Sequence, residues 1–127
     1  MPGNDATDPH QKGLRRKALR RGHVSEYIAA FYLILKGYRI VALRYRTRLG
    51  EIDIIARKGD LAVFVEVKAR RDQGAAVDAV SHLAQTRIRG ASDLWLARQR
   101  DQARLSQRYD IVAIVPGRWP VHLRDAF

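Results

Sequence analysis

The sequence contains no cysteine, which excludes disulfide frameworks, thiolate zinc sites and cysteine nucleophiles. Long apolar runs are also missing, because the longest, Tyr27 to Leu35, falls far short of the roughly 18 residues that a membrane-spanning helix needs. A basic stretch precedes this run, but Glu26 interrupts the pattern and no small-residue cleavage site follows, so no signal peptide is predicted. We therefore expect a cytoplasmic protein with no membrane partner.

Acidic residues are scarce, and glutamate is the scarcest. The 127-residue chain has 24 Lys+Arg against 13 Asp+Glu, a formal net charge of +11. Although a GC-rich genome would also favour arginine, this excess predicts a polyanionic partner, with nucleic acid ahead of an anionic membrane. The three glutamates are Glu26, Glu51 and Glu66, and each lies in or beside an apolar segment, where an unpaired charge is costly. We expect some of them to have a function.

The length and the 46% hydrophobic content are those of one ordinary domain with a real core. Residues 1–13 carry two prolines, two glycines and almost nothing apolar, which predicts a disordered tail. Residues 14–127 are predicted to form a single domain, because no repeat, linker or change of composition marks a second one.

The first helix is predicted from about Leu14 or Arg21 to Lys36, where Gly37 is a stop signal. Large apolar side chains recur at helical spacing and form one stripe; they are Val24, Tyr27, Ile28, Phe31 and Leu35. Smaller apolar residues cover much of the other side, so the helix is expected to be sandwiched between other elements. These smaller residues are Ala29, Ala30 and Leu33.

Five strands and a second helix follow. The predicted ranges are strands Tyr38–Arg46, Gly50–Arg57, Leu61–Arg70 and Tyr109–Val115, a short edge strand within Trp119–Leu123, and one helix Val77–Arg98. The inward face of that helix is predicted to carry Val80, Leu83, Ala84, Ile88, Ala91, Leu94 and Trp95. The order α-β-β-β-α-β predicts an α/β fold whose mixed sheet is flanked by helices.

The second and third strands are joined by a tight-turn signal at Gly59-Asp60. A hairpin closed there sets Asp53 directly opposite Glu66, with Cβ atoms about 5 Å apart. Lys68 lies two residues further along the face that carries Glu66. Two carboxylates so close persist when one is protonated or when a cation lies between them. The pattern therefore predicts an oxygen-rich site of the kind that Mg²⁺ or Mn²⁺ prefers.

A purely structural interpretation stays open beside this one. Glu66 and Lys68 can form a simple ion pair on a solvated sheet surface. Asp53 can pair with Arg44 or Arg46 across the sheet, as structural ion pairs commonly do.

The motifs nevertheless resemble those of a known family. The segment GEIDIIA at 50–56 is followed by VFVEVKAR at 63–70, with Gly22 and Glu26 before them and Arg108-Tyr109-Asp110 after them. This arrangement resembles the PD-(D/E)XK nuclease superfamily. It resembles more closely the YraN-like family of bacterial proteins described as predicted endonucleases, related to archaeal Holliday junction resolvases. The resemblance spans about residues 21–115, most of the chain.

The resemblance implies a role for each matching residue. Asp53 and Glu66 match the carboxylates that bind Mg²⁺ or Mn²⁺, and Lys68 matches the catalytic lysine. The carbonyl of Val67 would supply a further metal ligand, and Glu26 matches the helix acid that reaches the metal directly or through water. Such a metal neutralises charge on a nonbridging oxygen while water attacks phosphorus.

Residues expected to contact nucleic acid are mostly basic and lie near these motifs. They are Arg16, Arg20, Arg21, Arg70, Gln85 and Arg87. Two positions depart from the pattern of the superfamily. Ile52 stands where the proline of its name would be, and Ala84 stands where a lysine is expected. The second departure removes a positive charge that would help to hold phosphate.

Other polar and aromatic residues are assigned structural roles. Glu51 is expected to pair with a nearby arginine, and Asp110 to cap a basic cluster. The four histidines show no metal-ligand spacing. Trp95 and Trp119 are expected to belong to the core or to cover an edge of the sheet.

The sequence therefore predicts metal-dependent hydrolysis of phosphodiester bonds in DNA, with branched or structured DNA as the expected substrate. A homodimer is expected by analogy, because junction resolvases need two active sites. Two alternatives stay open: a nucleic-acid-binding module that kept the fold without catalysis, and an interaction protein associated with RNA or the ribosome.

Overall fold

The computed structural model describes residues 23–71 and 73–127. Helix α1 covers 23–35 of this range. The elements that follow are β1 (Arg39–Arg46), β2 (Glu51–Lys58), β3 (Leu61–Ala69), α2 (Gln73–Asp78), α3 (His82–Ala97), a 3₁₀ turn (Gln102–Arg104), β4 (Ser106–Ile114) and β5 (Val121–Leu123). The predicted tail at 1–13 and the start of α1 lie outside the described residues. Within them, no helix is both long and apolar enough to cross a membrane.

The strands form one five-stranded sheet in the order β1-β2-β3-β4-β5. Strands β1, β2 and β3 are antiparallel neighbours, β4 runs parallel to β3, and β5 returns antiparallel to β4. Parallel neighbours need a crossover connection, which α2 and α3 provide between β3 and β4. The predicted α/β class, with its mixed sheet flanked by helices, is confirmed, and the short edge strand forms as β5.

Helix α1 covers one face of the sheet and α3 covers the other. The side under α1 is built mainly from Ala29, Ala30, Leu33, Ile54, Val63 and Val65. The side under α3 is built mainly from Ile55, Phe64, Ile88, Ala91 and Trp95. Successive residues of β3 supply opposite faces, so this central strand is apolar almost throughout rather than alternating with polar residues.

Only one of the two apolar sides of α1 is buried. The small side, with Ala29, Ala30 and Leu33, is buried against the sheet. The stripe of large side chains points outward and is exposed; it consists of Val24, Tyr27, Ile28, Phe31 and Leu35. Small side chains let a helix approach its neighbour closely, and the separation of packed elements depends on the residues at the contact. The expected sandwich is not present among the described residues, since the sheet covers only one side of α1.

The single helix predicted for Val77–Arg98 is two helices. Ser81 interrupts it in an extended conformation, and its hydroxyl accepts the Ala84 N–H at 3.2 Å, so α3 begins with a side-chain cap. Val80 is buried as predicted but lies before this cap, outside either helix. Leu83 is not inward, because it lies in the first turn of α3 and is 59% exposed. Strand β4 also begins earlier than predicted, since it pairs with β3 along its whole length.

A buried polar network joins β4 to β5. Asp110 is fully buried and accepts hydrogen bonds from Arg108 Nε and Nη2, both at 2.8 Å, and from His122 Nε2 at 2.6 Å. Burial by itself would raise the pKa of Asp110, but the bonds from His122 and Arg108 lower it to about 2. The structural role predicted for Asp110 is confirmed.

Gly50 brings the start of β2 against α3. A Cβ atom on Gly50 would lie 2.5 Å from the carbonyl oxygen of Arg87, which is backbone and cannot swing away. We expect Gly50→Ala to lower the free energy of unfolding by about 1–3 kcal/mol, measured by urea denaturation. Gly59→Asn is the matched control, because nothing lies within 4 Å of that position and asparagine tolerates its φ of 60°. Equal stability of Gly50→Ala and the parent would mean that the close approach is not required.

Candidate active site at the divergence of β2 and β3

Strands β2 and β3 pair in the predicted register and then separate. The last pair in the ladder is Ile54 with Val65, and the next position in that register sets Asp53 opposite Glu66. Instead of a further ladder bond, the backbone N–H of Val67 donates to Asp53 Oδ2 at 2.8 Å. The side chain of Asp53 therefore lies between the two strand ends.

Strand β2 turns at Asp53. Ile54 packs under α1, whereas Ile52 packs under α3, although a regular strand would place both side chains on one face. A strand that reverses its faces at one residue directs that residue's side chain towards the neighbouring strand. This turn explains how Asp53 reaches the backbone of β3.

The same reversal occurs on β1 around Arg44, which lies opposite Asp53. Leu43 packs on the α1 side and Tyr45 on the α3 side. Arg44 has a φ of 50°, in the left-handed region that long side chains rarely adopt. Non-glycine residues held in this region cluster at functional sites. The sequence motifs did not assign Arg44 to the site. Its position opposite Asp53 on the neighbouring strand is the signal that could have indicated it.

Glu26 lies beside Arg44. Its Oε1 accepts a hydrogen bond from Arg44 Nη1 at 2.8 Å, and both side chains are mostly buried. Among the described residues, the contacts that the structure gives for Glu26 do not include Asp53 or Glu66. Its part in metal binding stays a prediction.

Two carboxyl groups face each other at the strand divergence. Burial raises the pKa of Asp53 to about 8, and the adjacent Glu66 carboxylate acts in the same direction by repulsion and by accepting the proton. The Val67 N–H and the Lys68 ammonium oppose this rise without cancelling it. The pair therefore holds an extra proton near neutral pH and would release it to a cation.

Lys68 lies next to Glu66, with 3.4 Å between Nζ and Oε1. The side chains of Lys68 and Glu66 are 22% and 13% exposed, so both reach solvent at one edge. This contact agrees with the catalytic assignment and with the structural ion pair. The other alternative, an ion pair of Asp53 with Arg44 or Arg46, is not present among the described residues, because Arg44 binds Glu26 and Arg46 lies 3.3 Å from Glu51. The contact between Arg46 and Glu51 confirms the arginine partner that was predicted for Glu51.

A cleft of about 190 Å³ lies between Glu66 and the start of α3. Its walls include Glu66 and Glu51 on the sheet, and Ser81, Ala84 and Arg87 on the helix side. Ala84 carries no charge, so the cleft lacks the lysine that the superfamily pattern has at this position. Arg87, one turn further on, supplies a cation to the same cleft. Ser81 was missed in the sequence, although serine before an apolar helix is an N-cap signal.

The remaining nucleic-acid candidates are only partly placed. Arg16, Arg20 and Arg21 lie outside the described residues. Arg70 is exposed directly after β3, where Nη1 donates to the carbonyl of Ala69 at 2.8 Å. Gln85 is half-buried and donates to the carbonyl of Val80 at 3.3 Å.

The donor set at the divergence fits a hard divalent cation. No group of three or more His, Cys, Asp or Glu side chains gathers in the described part of the chain. Mg²⁺ commonly takes only one or two carboxylates and completes its shell with water and substrate phosphate. Asp53 and Glu66 supply two carboxylates, and the carbonyl of Val67 stays a predicted third donor.

The fold and the site describe an α/β protein with paired carboxylates where the interior strands β2 and β3 diverge. A family model described as "Uncharacterised protein family UPF0102" matches residues 25–114. The chain is 75% identical over 127 residues to a UPF0102 protein of Rhizobium leguminosarum bv. trifolii, covering 100% of both chains. It is 77% identical over 120 residues to one of Rhizobium johnstonii, covering 94% of this chain and 98% of the other. It is 64% identical over 117 residues to one of Agrobacterium fabrum, covering 92% and 96%.

The chain therefore belongs to the UPF0102 family, and the predicted YraN-like family is confirmed at this level. The match includes both motif segments and every described residue assigned to the site.

The raised pKa of Asp53 predicts a pH-dependent stability. Between about pH 4 and pH 8 the unfolded state has released this proton while the folded state keeps it, so the free energy of unfolding falls as pH rises and then levels off. Asp53→Asn keeps an acceptor for the Val67 N–H and removes the titration. In metal-free buffer we expect the free energy of unfolding of the variant, relative to that of the parent, to rise by about 2 kcal/mol from pH 6 to pH 8, measured by urea denaturation.

Asp60→Asn is the control, because Asp60 is largely exposed and should show no such gain. A constant difference between Asp53→Asn and the parent over this pH range would contradict the buried, proton-sharing pair.

Proposed function

We propose that this protein is a metal-dependent endonuclease that hydrolyses phosphodiester bonds of DNA, and that it belongs to the PD-(D/E)XK superfamily. The observation that carries the proposal is the meeting of Asp53, Glu66 and Lys68 where β2 and β3 diverge. Three ionisable groups in the segments 52–56 and 61–69, whose other residues are all apolar, are costly to keep without a function.

The chain's own residues supply most of what the reaction needs. Asp53 and Glu66 would hold Mg²⁺ or Mn²⁺, which when bound polarises phosphate and makes water a better nucleophile. Val67 positions Asp53 through its N–H, so the carboxylate does not depend on substrate for its orientation. The Lys68 ammonium stabilises the charge that develops on the phosphate.

The cations around the cleft favour a nucleic-acid substrate. Arg87 lines the cleft beside Glu66, and Arg70 is exposed at the end of β3. The chain's net charge of +11 adds a long-range attraction for phosphate backbones. The choice of DNA, of branched DNA and of a dimer rests on the family resemblance.

A second candidate is a nucleic-acid-binding module without catalysis. The 3.4 Å contact of Lys68 with Glu66 favours it, because an ion pair alone would account for both residues. The absence of charge at Ala84 points the same way. An interaction protein associated with RNA or the ribosome is the third candidate and has only the net charge in its support.

Lys68→Ala separates these candidates. If Lys68 acts on the phosphate, the variant loses a transition-state contact, and we expect the cleavage rate to fall by about two to three decades. DNA affinity should change by less than about twofold, because one cation of many is lost. The measurement uses linear, flapped and four-way DNA with Mn²⁺, each with a chelator control.

Lys58→Ala is the matched control. Lys58 is an exposed lysine at the turn end of the same hairpin, away from Asp53 and Glu66, so its removal should leave cleavage unchanged. If Lys68→Ala cleaves like the parent but melts at a lower temperature, Lys68 is the structural partner of Glu66. If the parent binds DNA without metal-dependent cleavage, the non-catalytic module is correct.

A further inference from the structure

An apolar groove runs along the outward side of α1. Its cavity of about 300 Å³ lies between α1 and the turn before β5, and it is lined by Tyr27, Ile28, Phe31, Leu35, Trp119 and Pro120, together with Tyr32. These residues are called the α1 groove below. The groove lies on the side of α1 that the core does not use, and of its lining residues only Tyr27 contacts a residue of the site, accepting a hydrogen bond from Arg44 at 3.5 Å.

The exposed apolar surface here is too large to be incidental. Phe31 and Leu35 are each 62% exposed, and Trp119 is 78% exposed. With the neighbouring side chains of the same stripe, the exposed surface amounts to several hundred Å². Patches of this size on a protein surface mark interaction sites.

A cationic pocket continues from the groove. It has a volume of about 530 Å³, shares Tyr32, Trp119 and Pro120 with the α1 groove, and adds Lys36, Arg118 and His122. Neither lining includes an aspartate or a glutamate. An apolar channel thus ends among positive charges.

Lys36 is held in place by His122, which is in turn held by Asp110. Its Nζ lies 2.6 Å from His122 Nδ1, and the His122 ring, 1% exposed, is fixed by Asp110 Oδ2 at 2.6 Å. Burial lowers the pKa of Lys36, and the nearby charge of Arg124 lowers it further. The Asp110 carboxylate acts in the opposite direction, and an anion placed in the pocket would act in the same way as Asp110.

Charge decides between the possible occupants. A second copy would present the same groove and the same pocket, and neither lining offers a carboxylate to pair with Lys36 and Arg118. A nucleic-acid strand needs cations spaced along its path, whereas here they gather at one end of a groove whose floor includes Ile28 and Leu35. A peptide segment with both carboxylates and apolar side chains matches the cationic pocket and the α1 groove.

We propose that the α1 groove and its cationic pocket bind a peptide segment of a partner protein, in which apolar or aromatic side chains lie next to carboxylates. The apolar side chains would occupy the groove between α1 and Trp119, as in recognition of amphipathic segments by hydrophobic grooves. The carboxylate would contact Lys36 and Arg118 at its end.

Trp119 reports occupancy directly. The chain has two tryptophans; Trp95 is buried, so the solvent-exposed part of the emission comes from Trp119. The full-length protein should show this red-shifted emission when free. A phage library of random peptides about 12 residues long, selected on the parent protein, supplies the probe. We expect the selected peptides to be acidic and apolar, and to shift the emission of Trp119 to the blue.

Three variants locate the binding. Phe31→Ser should lower the affinity for the selected peptide by about tenfold, since it removes an apolar contact. Arg118→Glu should also lower this affinity by about tenfold at low salt. Val41→Ser, at an exposed apolar residue on β1, should change the affinity by less than about twofold. Circular dichroism confirms that each variant is folded.

Other outcomes overturn the proposal. Emission that is already blue in the free monomer means that another part of the chain covers the groove. A blue shift that grows with protein concentration alone assigns the surface to a second copy, and a shift caused by oligo-dT assigns it to single-stranded DNA. Failure of the library to yield peptides that prefer the parent over Phe31→Ser also refutes peptide binding.

Discussion

The hydrogen bond from the Val67 N–H to Asp53 Oδ2 holds together two strand ends that no longer pair. Without it, the carboxylate of Asp53 would have no partner between β2 and β3, and Glu66 would keep only its contact with Lys68. The bond depends on the reversal of β2 at Asp53, which is matched by the left-handed backbone of Arg44 on β1. One local twist of the sheet thus brings two acidic groups into contact and raises the pKa of one of them.

The same sheet explains why α1 has two apolar sides. Its alanine side packs on the sheet and brings Glu26 to Arg44, near the start of the site. The large side chains that remain are exposed on the other side of the helix and form the α1 groove with Trp119, although Tyr27 also contacts Arg44 of β1. The helix therefore serves the core with its small residues and presents its large ones to solvent, which inverts the usual arrangement of an amphipathic helix.

The sequence was sufficient for the hairpin register, because turn residues at Gly59-Asp60 and strict alternation leave few ways to pair β2 with β3. It was not sufficient for α1, since both of its sides are apolar and periodicity alone does not say which one the sheet accepts. The sequence did not predict that Asp53 lies between the strands. That position depends on the left-handed backbone of Arg44 opposite it, and an arginine gives no indication of such a backbone. Ser81, by contrast, was a capping signal that the longer helical pattern obscured.

The central claim is that Asp53 and Glu66 form one divalent-cation site, and Mn²⁺ mapped by NMR tests it most directly. At low Mn²⁺ the account predicts that the amide signals of Asp53 and of residues 66–68 broaden first, and that Asp53→Asn abolishes this at the same concentration. Signals of the Gly59-Asp60 turn, which lies about 20 Å along the hairpin from Asp53, should stay sharp. Broadening centred on other acidic residues such as Asp60 and Asp101, or none at these concentrations, would contradict the account.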